Sequence, residues 1–462
     1  MKTAIASLKT TTSAWASINW AKVHRKVFKL QKAIYAAVKS GQKAKARRLQ
    51  RLLQKSWYAR LLAVRKVTQD NQGKKTAGVD GIKSVQPKDR FHLAYELTKR
   101  HKAQSLRRVW IPKPGRTEKR PLGIPTMYDR AMQALVKLGL EPYWEAQFES
   151  ESYGFRPGRS AKDAIDAIFK KCLVKPQYVL DADISKCFDR IDHDYLLSKL
   201  DCPKVYKQLV RQWLEAEIMD NGVFEETEAG TPQGGVISPL LANIALHGMI
   251  DQVVESFTKS ATINGKEERS YRPKIVRYAD DFVVLANTPD AVLKAQDLIE
   301  KWLEQVGLTL KPEKTRLCNT LTEWKGEKPG FDFLGFNIRL YPMSIRKGTN
   351  AARAGIKPYQ LNIKPSQKAI KTHYDVIRTV IKSHRTAPQS ALINHLNPVI
   401  RGWCNYYSAV VSKKTFSKLD HITWEALRAW TVSRCGNASY GKLKNYYGKG
   451  VNGQWTFKPK RD

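Results

Sequence analysis

Acid is what the front of this chain lacks. Residues 1–75 carry 19 lysines and arginines and a single acid, Asp70. Over all 462 residues, 81 basic side chains stand against 42 acidic ones, a formal net charge of +39. So large an excess points beyond a solvated surface, to a polyanionic partner. Cysteine is sparse as well. The six cysteines, at 172, 187, 202, 318, 404 and 435, form no C-x-x-C pair. Their scatter argues against a zinc site and a disulfide framework, and fits a reducing compartment. Long apolar runs are missing: none approaches the ~20 residues of a membrane span. The N-terminus, MKTAIASLKTTTSAW, is rich in Ser and Thr but lacks the continuous apolar stretch of a secretory signal. The expected location is cytoplasmic, at the nucleoid in a bacterium, with an organelle as the alternative and no membrane partner.

What is present supports real cores, since 42% of residues are apolar and the length suits about two or three domains. Val23, Val27, Leu30, Ile34 and Val38 recur at helical spacing, Ser40-Gly41 breaks the pattern, and Leu49, Leu53, Trp57, Leu61 and Val64 mark a second helix. The apolar stripe is expected to pack. The basic outer face is expected to meet a phosphate backbone.

The chemistry concentrates in Lys274 to Ala286, KIVRYADDFVVLA. It predicts a β-hairpin with Asp280 and Asp281 at a tight turn between two apolar strands. Adjacent buried acids are costly unless a cation neutralises them. Mg²⁺, which takes a few carboxylates plus phosphate oxygens, is the simplest candidate. Upstream, Tyr178 to Phe188 (YVLDADISKCF) predicts a strand with Asp181 and Asp183 on one face. Asp183 is the better metal candidate, because the apolar stretch continues beyond it. Asp181 or Asp189 would then serve as a structural cap.

Other stretches carry phosphate-binding or nucleic-acid character. Leu106 to Arg130 predicts a hairpin bearing Arg107, Arg108, Lys113, Arg116, Lys119 and Arg120, cations suited to a triphosphate. Ala131 to Phe148 predicts a helix. SYGFRPGRS (Ser152 to Ser160) opens the next helix, an anion-binding arrangement. GTPQGGVISP (Gly230 to Pro239) is a Gly-rich loop leading into a helix predicted over Leu240 to Phe257. GLTLKPEKT (Gly307 to Thr315) and FDFLGFNI (Phe331 to Ile338) follow a helix predicted over Ala291 to Val306. Beyond about residue 355 the pattern turns helical, over 364–385, 388–400 and 414–434. There LNPVIRGWCNYYS interleaves Arg401 with Trp403, Tyr406 and Tyr407, a spacing that favours packing for Trp403.

Taken in order over about residues 20–435, these boxes resemble the group II intron-encoded reverse transcriptase/maturases, of bacterial or cyanobacterial type. The GKKTAGVDG loop at Gly73 to Gly81 resembles the segment just before their fingers, and Tyr278-Ala279-Asp280-Asp281 resembles their YADD box. The resemblance implies an α+β right-hand polymerase. A basic helical extension (1–75) would precede fingers and a palm with an antiparallel sheet (76–345). An α-helical thumb, or maturase domain X (346–435), and a short basic tail (436–462) would follow. It implies RNA-directed DNA polymerisation with two Mg²⁺ ions, or Mn²⁺ in their place, held by Asp183, Asp280 and Asp281. Lys113, Arg120, Gln233 and Lys314 would contact the dNTP, with Lys314 as proton donor to pyrophosphate. Phe188 would be the steric gate against a 2′-hydroxyl. Phe155 and Arg156 would contact the template or incoming nucleotide, and the segment with Arg401 the intron RNA and primer-template duplex. Implied partners are group II intron RNA, for splicing, and an RNA template with a DNA primer or target DNA, for retrohoming by target-primed reverse transcription. Many relatives end in an HNH endonuclease with paired cysteines and histidines; none stands here through Asp462, so second-strand cleavage is not expected. The rival readings are a maturase without polymerase activity, a domesticated or defence-associated reverse transcriptase, and an RNA-dependent RNA polymerase.

Overall fold

The computed structural model describes residues 12–112, 119–220, 223–225, 230–231, 234–258, 261–263, 266–268, 271–343, 358–435, 446–449 and 455–458. The chain divides into two compact units, Met1–Ala167 with Ala182–Arg316, and Ile168–Asp181 with Leu317–Asp462.

The first unit begins with α1 (Trp20–Lys39), α2 (Lys43–Lys55) and α3 (Trp57–Arg65). Asn19 caps α1, its side chain accepting from Lys22 N–H at 2.9 Å. The second predicted helix is broken in two at Ser56, whose backbone is extended. Val23, Val27, Ile34, Leu53, Leu61 and Val64 are buried, as the periodicity predicts, whereas Leu30, Val38 and Leu49 are half-buried and Trp57, at the break, is 40% exposed. The strands β1 (Leu106–Pro112) and β2 (Lys119–Ile124) lead into α4 (Met127–Glu145). Gln31 and Gln50 reach from α1 and α2 to the carbonyls of Leu138 and Gly139 on α4, each at 3.1 Å. The loop before β1 is fastened there too: Asp80 accepts from Met127 N–H at 2.9 Å.

Next come α5 (Ala161–Val174), which starts in the first unit, and β3 (Tyr178–Asp183), which returns the chain to it. β4 (Ile218–Asp220) and β5 (Val223–Glu225) complete a sheet in the order β2-β1-β4-β5. It is antiparallel except for the β1–β4 pair, which is parallel. The helix predicted over Leu240 to Phe257 is interrupted. α6 (Ser238–Ala245) and α7 (Met249–Glu255) meet at Gly248, whose φ of +95° belongs to the left-handed region. The hairpin β6 (Lys274–Tyr278) and β7 (Asp281–Ala286) pairs from Lys274↔Leu285 to Tyr278↔Asp281. Ile275, Val276 and Phe282 to Leu285 are buried, with α7 and α8 (Pro289–Glu304) packed against the hairpin. That covering explains why the sequence here is nearly continuously apolar.

The strand β8 (Arg316–Asn319) carries the chain into the second unit, where an antiparallel sheet of β9 (Phe331–Phe333), β10 (Phe336–Pro342) and β11 (Tyr359–Pro365) follows. Three helices follow, α9 (Gln367–Ser383), α10 (Gln389–Tyr407) and α11 (Lys413–Cys435). Their shared core is Ile377, Val380, Ile381, Leu392, Leu396 and Trp430. A last hairpin, β12 (Tyr447–Lys449) and β13 (Trp455–Phe457), sets Phe457 edge-on to Trp430 at 5.8 Å. No helix among the described residues is long and apolar enough to cross a membrane.

Candidate active site

The β6–β7 hairpin closes on the pair Tyr278↔Asp281, leaving Ala279 and Asp280 as the turn. Ala279 takes a left-handed φ of +60°, a conformation that costs a non-glycine residue about 1 kcal/mol or more. The turn lies beside the end of β3, where Ile184 N–H donates to Asp280 O at 3.3 Å. Asp183, 8% exposed, therefore lies beside the turn that carries Asp280 and Asp281. Burial, then the charges of Asp280 and Asp183, push the Asp281 carboxyl up to about 7. Burial, and secondarily Asp183, also raises Asp280. These are desolvated like charges of the kind that a bound cation stabilises.

A cation is already beside them. Lys311 N–H donates to Asp183 O at 2.9 Å and Ser185 N–H to Thr309 O at 2.8 Å, stitching the GLTLKPEKT segment along the end of β3. A short 3₁₀ turn, Pro312–Lys314, then aims the Lys314 ammonium at Asp183 Oδ2, with which it forms an ion pair. Among the described residues no three His, Cys, Asp or Glu side chains close into a metal cage. An Mg²⁺ site needs no such cage, because it uses one or two carboxylates and completes its shell with water and substrate phosphate. The acids present fit that donor set.

Around the carboxylates, Phe188 is half-buried and its ring meets Phe155 edge-on at 6.3 Å. Phe188 O accepts from Thr231 N–H at 2.5 Å, which fixes its backbone to the start of the Gly-rich loop. Phe155, with φ +58° and 48% exposed, presents its ring outward. Arg120 is exposed on β2, and its positive charge counteracts the rise at Asp280. Lys113 and Gln233 lie outside the described residues. Arg401 is exposed on α10 in the second unit.

The template contact expected of Arg156 gives way to a structural role. Arg156 forms a fork on Glu145 at 2.9 and 2.7 Å, and its Nη1 donates to the carbonyls of Glu149 and Ser152, both at 2.6 Å. With all three guanidinium nitrogens engaged and its side chain 2% exposed, it fastens the SYGFRPGRS loop from beneath. In the second unit the aromatics of LNPVIRGWCNYYS pack, as their spacing suggested: Trp403 stacks on His373 at 4.6 Å. Sequence reasoning missed Arg277, Asn243 and Glu149, all buried close behind the turn. The signal was one arginine inside the apolar run KIVRY.

Comparison with known proteins agrees with this layout. Residues 15–97 match the N-terminal domain of reverse transcriptase. Residues 111–338 match the reverse transcriptase (RNA-dependent DNA polymerase) family, and residues 370–448 the group II intron maturase-specific domain. Protein YkfC of Escherichia coli is 29% identical over 331 residues, 63% of this chain and 83% of YkfC. The group II intron-encoded protein LtrA of Lactococcus lactis is 41% identical over 147 residues, 31% of this chain and 24% of LtrA. A 91 kDa protein in the cob intron of Schizosaccharomyces pombe is 28% identical over 373 residues, 67% of this chain and 44% of that protein. The chain thus spans less than half of the latter two relatives. Fold and matches together define a reverse transcriptase domain joined to a maturase domain. The chain belongs to the group II intron-encoded reverse transcriptase/maturase family.

Proposed function

We propose that this chain copies RNA into DNA by metal-assisted nucleotidyl transfer, and that it binds a group II intron RNA to assist splicing and to copy it during target-primed retrohoming. The observation that carries the first part is the convergence of buried Asp183 with Asp280 and Asp281 at the adjoining turn, where desolvation and the neighbouring charges push the Asp281 carboxyl up to about 7. These three would hold Mg²⁺, or Mn²⁺ in its place. When bound, the ions supply the Lewis acidity that activates a primer 3′-hydroxyl and offsets charge on departing pyrophosphate.

The chain's own side chains do the rest, since phosphoryl transfer asks mainly for position and charge neutralisation. Arg120 pairs with triphosphate oxygens. Lys314, poised at Asp183, holds a proton for the leaving group. Phe188 rejects the 2′-hydroxyl and Phe155 packs on the template. In right-hand terms, the β2-β1-β4-β5 sheet is the fingers, the β6–β7 hairpin with the end of β3 the palm, and α9 to α11 the thumb. The basic faces of α1 and α2 and of the maturase domain, Arg401 included, follow the RNA backbone. The maturase-specific match supports the intron partner.

Primer extension on an RNA template with Mg²⁺ and dNTPs tests the reading, comparing wild type with Asp280→Ala/Asp281→Ala, beside a group II intron splicing assay at low salt. Complementary DNA from wild type alone is expected. Splicing without any DNA synthesis by wild type would hand the protein to the RNA-binding maturase reading.

A further inference from the structure

Arg277 stands one residue before the YADD turn and is fully buried. Its Nη1 donates to Ala279 O and to Asn243 Oδ1, both at 3.2 Å. Asn243, 1% exposed on α6, in turn donates from Nδ2 to Gly154 O at 2.7 Å. The backbones are joined as well: Arg277 N–H donates to Glu151 O, and Tyr153 N–H to Arg277 O, each at 2.9 Å. Gly154 is pressed so closely on the turn that a Cβ there would run into Ala279 N and stand 2.9 Å from Tyr278 C. The turn that carries the acids and the loop that carries Phe155 are therefore held by one connected set of contacts.

The arginine is expensive for that place. Among the described residues its Nε and Nη2 have no hydrogen-bond partner, although the side chain is fully buried. If shape alone were needed, an apolar side chain of similar volume would fill the space as well or better. What an apolar side chain lacks is the donor, here a single Nη1 that reaches both the carbonyl of the left-handed Ala279 and the amide oxygen of Asn243. Strain of that kind persists where surrounding structure over-determines it.

We propose that Arg277 and Asn243 form a clamp that fixes the Ala279–Asp280–Asp281 turn and ties it to the Phe155 loop, which makes Arg277 a positioning residue for nucleotide incorporation. The inference rests on the polymerase reading above.

The test uses the full chain with Arg277→Met, Arg277→Lys and Asn243→Ala. It reads single-dNTP incorporation on primed RNA, and amide hydrogen exchange at 278–281 and 152–155 without substrate. Arg277→Met should lower kcat on the order of 100-fold, the scale of a small misplacement, with dNTP KM within about threefold. Exchange at the two segments should rise at least about tenfold while the β6–β7 core keeps its protection. Arg277→Lys should recover part of both, since its ammonium restores a charged donor but ends one bond short of the position of Nη1. Asn243→Ala should move both readouts the same way, less far. Unchanged kcat and exchange in Arg277→Met overturn the clamp, as does exchange rising equally throughout the first unit. If Arg277→Met does not fold, Asn243→Ala decides, and wild-type values for it overturn the proposal. A wild type that incorporates nothing on primed RNA defeats the polymerase reading, and the exchange data then judge the clamp alone.

Discussion

The Tyr407 hydroxyl donates to Gly335 O at 3.1 Å, and a Cβ built on Gly335 would stand 2.6 Å from that same hydroxyl. One residue earlier on each side, Tyr406 donates to Leu334 O at 3.0 Å. Leu334 and Gly335 form the turn between β9 and β10, with φ of +50° and +82°. The end of α10 thus holds a left-handed turn through two successive tyrosines, whose rings also lie on Phe336 at 5.2 and 4.9 Å.

Gly335→Ala should therefore be damaging twice over, by backbone strain and by collision, at a cost on the order of 2 kcal/mol. Tyr407→Phe should cost about 1 kcal/mol for the lost hydrogen bond. Removing the hydroxyl also makes room for the added methyl, so the double variant should cost less than the sum. Urea unfolding of the four proteins measures the coupling. Strict additivity would show that the two residues do not meet in solution.

Glu149 predicts a pH dependence. Its side chain is 1% exposed and accepts from His247 Nδ1 at 2.9 Å and Gly248 N–H at 2.5 Å. Burial alone would raise its carboxyl, but the His247 hydrogen bond and the Arg277 charge hold it at about 2, below the ordinary 4.5. The unfolded chain then binds more protons than the native one between those values, so stability rises with pH across that window. The contribution is complete above 4.5 and fades as pH falls towards 2. Glu149→Gln should destabilise on the order of 2 kcal/mol at pH 7, leaving Arg277 without its buried counter-charge. The gap to wild type should narrow below about pH 4. Chemical denaturation at pH 7 and at acid pH would show a constant gap if the carboxylate charge were not its source.

How much of this was legible depends on the range of the interactions. The β6–β7 hairpin announced itself because its apolar strands and acidic turn are local. Most of the stripe from Val23 to Val64 is legible for the same reason, but the exposure of Trp57 and the break at Ser56 are not, since no proline or glycine marks the break. Gly248 was visible as a glycine, yet only its left-handed φ reveals that it splits a helix. Arg156 misled because its type suits a phosphate as well as a carboxylate. The choice of Glu145 is made by packing, which the SYGFRPGRS box does not encode. Arg277 and Asn243 were illegible as a pair, being 34 residues apart and joined only by the fold.

Arg156 supplies its own check. Breaking its fork with Glu145 should leave a carboxylate behind and free two buried carbonyls, so Arg156→Ala should destabilise by roughly 3 kcal/mol. Template affinity of the folded fraction should stay within about twofold of wild type, as for any side chain that does not meet RNA. Melting temperature and RNA-template binding by the same preparations separate the two effects. Intact stability with weakened template binding would restore the contact that the sequence suggested.

Phe188 is where packing and selectivity make opposite demands. Its ring meets Phe155 edge-on and its carbonyl is tied to Thr231 N–H, while the side chain is only half-buried, so its place does not depend on a filled core. Were it a core residue, Phe188→Ala would cost some 3 kcal/mol and lower dNTP and NTP use together. As a gate it should behave otherwise. Truncation should leave the melting temperature within a few degrees and dNTP turnover largely intact, while the preference for dNTP over NTP in kcat/KM falls about 10- to 100-fold. Phe188→Val should fall between the two. The measurement is incorporation of matched dNTP and NTP on one primed RNA template, by wild type and both variants. Equal losses for the two substrates would place Phe188 in the packing of the turn instead of at the sugar.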